Sequence, residues 1–251
     1  MSILYPISRQ TKGASVISPK AYAEVYAKGL QLPENAVIGP VQRLTKFVLS
    51  QGKYQSKFLF TEIHIDNAHN FCFAPMFGYG APALALQLEV FIALGVKKCI
   101  FLGLAGSLQE DVLPGDIVLC QQSVCADGTS THYSNHAIVR PNLQLVSAWR
   151  RELDRQGQSF HLGRNWTTDA MFRETKAEIK HYQKYAVLTA EMEISAFLAV
   201  CRKRKIKGAA GVVVSDQLLN GVWKPDFNNS MINTQLRTLF ISAQKTLLQE
   251  S

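Results

Sequence analysis

Three acidic residues in the second half of the chain stand in apolar surroundings. Glu191 and Glu193 flank Met192 in the segment VLTAEMEISAFLAVC, and Asp216 directly follows VVVS, three β-branched valines and a serine. Removing a carboxylate from water costs a large amount of free energy unless hydrogen bonds or a ligand satisfy it. We therefore expect the three acids to belong to a pocket that uses them.

The spacing of Glu191 and Glu193 indicates what such a pocket could hold. Side chains two residues apart cannot share one face of a helix. We expect the pair to straddle a strand-to-helix bend, with one carboxylate pointing inward. An inward carboxylate can accept hydrogen bonds from two neighbouring hydroxyls, as on the 2′,3′-diol of a ribose. The alternative is a pair of acids that stabilises the positive N-terminus of a helix.

Asp216 and a second motif near residue 40 suggest further chemistry. A carboxyl in an apolar setting at the end of a strand can have a raised pKa and donate a proton; the alternative is a helix or turn cap. Gly39 is followed four residues later by Arg43. A bare glycine N–H beside a guanidinium can bind an anion, although this signal is weak when taken alone.

The elements that would position these residues alternate between strands and helices. This order predicts an α/β sandwich with a mixed, largely buried sheet, formed by one domain over residues 1–251. Ligands bind at the carboxyl ends of strands in such sheets, where we expect Gly39, Gly103–Ser107, Asp169 and Asp216. Two local expectations matter below: residues 174–184 form an amphipathic helix, and residues 223–225 form a loop.

Composition narrows the class of protein. The chain has 251 residues, is 47% hydrophobic and carries a formal net charge of +8, which suits a large core and an anionic ligand. Its five cysteines form no CxxC pair, and its basic residues are scattered rather than grouped with aromatic residues. No signal peptide or apolar run of spanning length is visible. We expect a soluble, cytoplasmic protein with no metal site, no nucleic-acid partner and no membrane partner.

Five motifs occur in a characteristic order between Gly39 and Leu218. They are GxxxR from Gly39, GYGAP from Gly78, GxxG from Gly103 ahead of a PGD turn, AEMEISA around Glu191, and VVVSD ending at Asp216. This combination resembles the nucleoside phosphorylase superfamily, in its purine and uridine phosphorylase branch. The segments LQ…PGDIV and DGTSTHY are similar to the uridine enzymes, whereas VSD is similar to the purine enzymes, so the base stays open.

The resemblance implies a three-layer α/β/α sandwich that cleaves the N-glycosidic bond of a purine or pyrimidine nucleoside. Phosphate would be the nucleophile and co-substrate, no cofactor would be needed, and the chain would assemble into homodimers or hexamers. On the sugar, Glu193 would bind the ribose hydroxyls and Met192 would pack against the ring. Asp216 would be the general acid for the leaving base.

The remaining roles implied by the resemblance concern the base and the phosphate. Met171 and Phe172 would stack on the base, and Arg173 would read its edge. Gly39 and Arg43 would bind phosphate.

The phosphate site departs from the family pattern at two positions. The family usually has arginine two residues before the first glycine of GxxG and Ser or Thr right after that glycine, whereas this chain has Phe101 and Leu104. Losing a guanidinium and a hydroxyl weakens phosphate binding, so Ser107, Lys57 or another cation would have to compensate. Two alternatives therefore stay open: a nucleosidase that uses water, and a divergent nucleoside-binding protein without turnover.

Overall fold

The computed structural model describes residues 13, 15–40 and 43–249. Its strands are β1 (Asn35–Gly39), β2 (Gln55–Phe58), β3 (Glu62–Asp66), β4 (Phe71–Pro75), β5 (Lys98–Ser107), β6 (Ile117–Ala126), β7 (Ile138–Val139), β8 (His161–Thr168), β9 (Val187–Glu191), β10 (Lys207–Leu219) and β11 (Val222–Pro225). Its helices are α1 (Pro19–Tyr26), α2 (Thr45–Ser50), α3 (Ala81–Ala93), α4 (Ser130–Tyr133), α5 (Leu143–Arg155), α6 (Lys176–Lys184), α7 (Ile194–Arg204) and α8 (Ser230–Gln249), with a short 3-10 helix at Met171–Arg173.

All the strands belong to one mixed sheet. Its order is β11-β10-β6-β8-β9-β5-β1-β4-β3-β2, with β7 paired to β6. An additional parallel pairing joins β10 to β5, so β5, β10, β6, β8 and β9 close into a ring. This ring was not foreseen from the sequence, because it depends on pairings between distant segments.

Helices cover both faces of the sheet. On β5, Cys99 and Phe101 pack with α1, α3 and α7, whereas Ile100 and Leu102 pack with α2, α5 and α8. Successive side chains of a strand point to opposite faces, so this continuous apolar run fills two cores at once. The expected mixed α/β architecture, with a central sheet between helical layers, is confirmed.

Two local expectations were wrong. Residues 223–225 are not a loop, because β11 pairs antiparallel with β10 across a turn at Asn220 and Gly221. Both turn residues have positive φ, 52° and 70°, as a two-residue hairpin turn of the Asn-Gly type requires. The helix expected from residue 174 begins at Lys176 instead, because Thr175 forms its N-cap in a reciprocal capping box with Glu178.

Strands β9, β5 and β10 run side by side and bring the predicted acids together. Gly106 of β5 pairs with Ala190 of β9 on one side and with Asp216 of β10 on the other. Ala190 and Asp216 are thus two strand spacings apart, roughly 10 Å. A register shift between Val214 and Asp216 marks a β-bulge, a feature that re-aims side chains near functional sites.

Candidate active site

A cavity of about 540 Å³ opens where β5, β9 and β10 meet. Its size lies within the usual range of small-molecule sites. Most of the residues predicted for the site line it: Arg43, Met171, Phe172, Met192, Glu193 and Asp216. The predicted sugar-binding residues and two of the three predicted base-binding residues, Met171 and Phe172, therefore share one cavity.

Glu193 lies at the N-terminus of α7, where its backbone is not yet helical. Its Oε1 accepts a hydrogen bond of 2.6 Å from the backbone N–H of Gly80, and its Oε2 accepts one of 3.3 Å from that of Met192. These bonds fix the carboxylate at the cavity wall and leave other lone pairs for a ligand. Burial raises the pKa of Glu193.

Glu191 has a different role, as part of the frame. It ends β9, and its Oε1 accepts hydrogen bonds from Asn165 and Thr167 at 2.6 and 2.5 Å. Its Oε2 accepts the backbone N–H groups of Glu193 and Ile194 at 2.6 and 2.8 Å. Burial, followed by the nearby Glu193, raises the pKa of Glu191 to about 8, although the hydrogen bonds oppose this shift. With four donors in place, Glu191 holds the bend that presents Glu193.

Asp216 is 9% exposed and is held from two directions. Ser215 Oγ donates to its Oδ1 at 2.7 Å, and Trp223 Nε1 donates to its Oδ2 at 2.8 Å. Gly106 makes room for this carboxylate, since a Cβ there would lie 3.0 Å from Asp216 Oδ2. The second glycine of the GxxG motif thus serves the acid on the neighbouring strand.

The apolar side chains predicted to stack on a base lie on the 3-10 helix Met171–Arg173. Met171 is 47% exposed and Phe172 is 94% exposed, and both border the cavity. Arg173 is exposed and does not line the cavity. Hydrogen bonds from Thr175 and, to a smaller extent, the charge of Arg173 lower the pKa of Glu178. A base-reading role for Arg173 stays a prediction.

In the region predicted to bind phosphate, Arg43 lies beside apolar side chains. Arg43 and Pro40 line the cavity, and Arg43 Nη1 donates to Asn233 Oδ1 at 3.4 Å. Gly39 lies at the buried end of β1, just before Pro40, and packs against Phe73. Val41 and Gln42 of the GxxxR motif lie outside the described residues.

Phe101 and Leu104 both line the cavity, so the departure from the family pattern falls inside the site. Neither proposed replacement lies there. The Ser107 hydroxyl donates to the carbonyl of Gln109 and accepts its N–H. Lys57 is exposed on β2, away from the cavity lining.

Two residues that sequence reasoning missed also line the cavity, Glu174 and Trp223. Burial, then the charges of Asp216 and Glu178, raise the pKa of Glu174 to about 7. Both had a local signal in the sequence. The TxxE capping box starting at Thr175 leaves Glu174 outside the helix, and Asn220-Gly221 predicts the hairpin that returns Trp223 to Asp216.

A second cavity, of about 600 Å³, lies between α1, α3, α4 and α7. Its charged side chains, Glu89 and Arg204, neutralise each other through hydrogen bonds of 2.7 to 3.0 Å. His132 borders this second cavity and not the first. The acidic side chains that could act on a ligand therefore lie around the first cavity.

The described part of the chain contains neither a cluster of metal-binding side chains nor a helix that could span a membrane. Across residues 13, 15–40 and 43–249, no three His, Cys, Asp or Glu side chains cluster so that they could hold a metal ion. No helix within those ranges combines the length and apolarity that spanning a membrane requires.

Comparison with protein families identifies the family of this chain. The sequence model of the family described as "Phosphorylase superfamily" matches residues 36–238. The chain belongs to this superfamily. The motifs from Gly39 to Leu218 that carried the resemblance all lie within the match, so the resemblance is confirmed.

Two curated relatives show how far the similarity extends. A DeoD-type purine nucleoside phosphorylase of Brevibacillus brevis is 26% identical over 147 residues, which cover 57% of this chain and 63% of the relative. A guanosine phosphorylase of Halorubrum lacusprofundi is 24% identical over 145 residues, covering 57% and 60%. The chain thus matches less than two thirds of the length of either relative.

Solved structures agree over more of the chain. Uridine phosphorylase from Vibrio fischeri superposes with a TM-score of 0.74 at 18% identity and covers 87% of this chain and 93% of its own. Purine nucleoside phosphorylase from Toxoplasma gondii, in complex with immucillin-H, gives 0.75 at 18% identity, covering 88% and 93%. At these identities the likeness establishes the fold.

Proposed function

We propose that this protein cleaves the N-glycosidic bond of a nucleoside, with phosphate as the nucleophile. The observation that carries the proposal is the placement of Glu193 and Asp216 in the lining of one cavity, with Glu193 at the bend after β9 and Asp216 on β10. Such an arrangement can hold a ribose joined to a base. The products would be the free base and ribose 1-phosphate.

Cleavage of the N-glycosidic bond explains why one carboxyl group is needed near the sugar and another near the base. Positive charge develops on the sugar and negative charge on the base as the bond breaks. A carboxylate at Glu193 orients the diol and lies near the developing sugar cation, whereas an acid near the base neutralises the leaving group. The family resemblance implies that this acid is Asp216, that Met192 packs on the sugar, and that Met171 and Phe172 stack on the base. Holding these partners together supplies much of the rate enhancement.

Phosphate is proposed as co-substrate on the strength of family membership and of Arg43 in the cavity. Gly39 stands beside this region at the end of β1. The apolar Phe101 and Leu104 leave little to bind a dianion, so we expect weak phosphate binding and a high phosphate concentration at half-maximal rate. No cofactor is needed in this scheme.

For the base, we propose a purine before a pyrimidine. The relatives named above as purine nucleoside phosphorylase and guanosine phosphorylase support this order, and an acid that can protonate a ring nitrogen suits a purine leaving group. The fold is shared with enzymes of both kinds, so uridine is the natural comparison substrate.

Assembly and location complete the proposal. Val25, Tyr26 and Leu86 are exposed by 71%, 64% and 41% on or beside α1 and α3, and covering such apolar groups favours a homodimer or hexamer. The five cysteines are all free thiols, which supports a reducing compartment such as the cytoplasm. Sedimentation or native mass spectrometry measures the assembly.

The test is chromatographic detection of base release from adenosine, guanosine, inosine and uridine, each with and without phosphate. We expect phosphate-dependent release from at least one purine nucleoside. Tight nucleoside binding with no release from any of the four would instead identify a binding protein.

A further inference from the structure

The base region of the cavity holds a second carboxyl group that the family resemblance does not assign. Glu174 directly follows the 3-10 helix that carries Met171 and Phe172, and its partly buried side chain lines the same cavity as Asp216. It thus enters the cavity from the segment predicted to stack on the base, whereas Asp216 enters from β10.

The two carboxyl groups differ in their hydrogen bonding. Both oxygens of Asp216 accept a hydrogen bond, from Ser215 Oγ and from Trp223 Nε1. The Glu174 carboxyl accepts no hydrogen bond from any other side chain or backbone N–H in the part of the chain that the structure describes.

The charges around Glu174 also favour its neutral form. Asp216 faces it from β10 and Glu178 faces it from α6, and both act to raise its pKa. The adjacent Arg173 interacts with Glu178, and the alkyl chain of Lys176 lies over the β10–β11 turn at Gly221. Negative charges near a carboxyl group disfavour its ionisation, so these neighbours favour the protonated form of Glu174.

We propose that Glu174 is the proton donor to the leaving base, and that Asp216 is its neighbour across the same cavity. The proposal rests on the proposed function and refines it, since it moves the acid role from β10 to the segment that stacks on the base. Trp223 and Ser215 then act as positioning residues that hold the Asp216 carboxyl group in place.

The proton and electron balance is closed. The C1′–N bond breaks and its electron pair goes to the base, while a phosphate oxygen forms the new bond to C1′. The proton on Glu174 moves to the base nitrogen and leaves a carboxylate. Hydrogen phosphate loses its proton in forming ribose 1-phosphate, and that proton returns to Glu174 through solvent.

The test compares leaving groups that need a proton with one that does not. Glu174→Gln and the exposed control Glu110→Gln are assayed on a purine nucleoside and on p-nitrophenyl β-D-riboside, whose phenolate leaves without protonation. We expect Glu174→Gln to lose about 10²- to 10⁴-fold in kcat/KM on the nucleoside, and to retain the nitrophenyl activity within a few-fold. Glu110→Gln should match wild type on both.

The pH profile gives the second readout. Because the acid must be protonated, wild-type kcat/KM on the nucleoside should fall as the pH rises through about 7. This fall in kcat/KM should be absent in Glu174→Gln. In Asp216→Asn it should occur at lower pH, because removing a like charge makes Glu174 easier to ionise.

Several results would overturn the proposal. An unchanged Glu174→Gln variant rules out the role of Glu174, equal loss on both substrates indicates a structural role, and a fall with pH that disappears only in Asp216→Asn makes Asp216 the donor. Wild-type protein that cleaves neither substrate refutes the proposed function itself, and with it the role of Glu174.

Discussion

The Glu193→Gln variant tests whether the carboxylate of Glu193 binds the sugar or only supports the structure. Glutamine keeps the size of the side chain but removes its charge. It also places an NH₂ group where the wild-type oxygens accept hydrogen bonds from Gly80 and Met192 at 2.6 and 3.3 Å. Both the attachment to the wall and the acceptor for ribose are therefore weakened together.

The magnitude follows from the hydrogen bonds lost. A hydrogen bond to a charged group contributes about 1.5–3 kcal/mol, and each 1.4 kcal/mol corresponds to tenfold. Losing one charged bond to a ribose hydroxyl should lower kcat/KM by about 10- to 150-fold. The fall should be similar for purine and pyrimidine nucleosides, because the sugar is common to both.

The assay combines the variant with 2′-deoxy and 3′-deoxy substrates in a double-mutant cycle. In wild type, at least one deoxy substrate should react more slowly by a comparable factor. In Glu193→Gln the same deletion should have little further effect, because its partner is already lost. Full additivity of the two losses would refute the assignment of Glu193 to the diol, provided that thermal unfolding shows a folded variant.

Three further predictions concern the frame, the phosphate region and the base region. Glu191→Ala leaves four donors of the β9–α7 bend without their acceptor, so urea unfolding should show a loss of at least about 3 kcal/mol; a loss below 1 kcal/mol would contradict the frame role. Leu104→Thr places a hydroxyl in the phosphate region and should lower the phosphate concentration at half-maximal rate about tenfold, whereas an unchanged value would place phosphate elsewhere. Trp223→Phe keeps an aromatic ring but removes the hydrogen-bond donor to Asp216. The kcat/KM on a nucleoside should fall about tenfold, with little change in thermal stability. An unchanged kcat/KM would show that this hydrogen bond does not contribute to catalysis.

Much of the architecture could be read from local patterns. The apolar run from Cys99 to Leu102 indicated a strand buried on both faces, and the AEMEIS segment indicated a bend with two differently used acids. The structure bears out that bend, with Glu191 inside the frame and Glu193 at the cavity wall. Such features are encoded over a few residues, where periodicity and spacing are informative.

What could not be read depends on contacts between distant segments. Closure of the ring through β5 and β10 joins residues more than a hundred positions apart, and no local pattern specifies it. Glu174 resembled an acid in the first turn of a helix, and only the tertiary fold brings it to the same cavity as Asp216. Trp223 shows the opposite case, since its hairpin signal was present at Asn220-Gly221.

The central claim, phosphorolysis of a nucleoside in the cavity of Glu193 and Asp216, is tested most directly by following the sugar product with phosphorus NMR. Purified protein is incubated with a purine nucleoside and increasing phosphate. The account predicts a ribose 1-phosphate signal that grows in step with base release and requires high phosphate. Free ribose formed at a rate independent of phosphate, or no sugar product at any phosphate concentration, would contradict it.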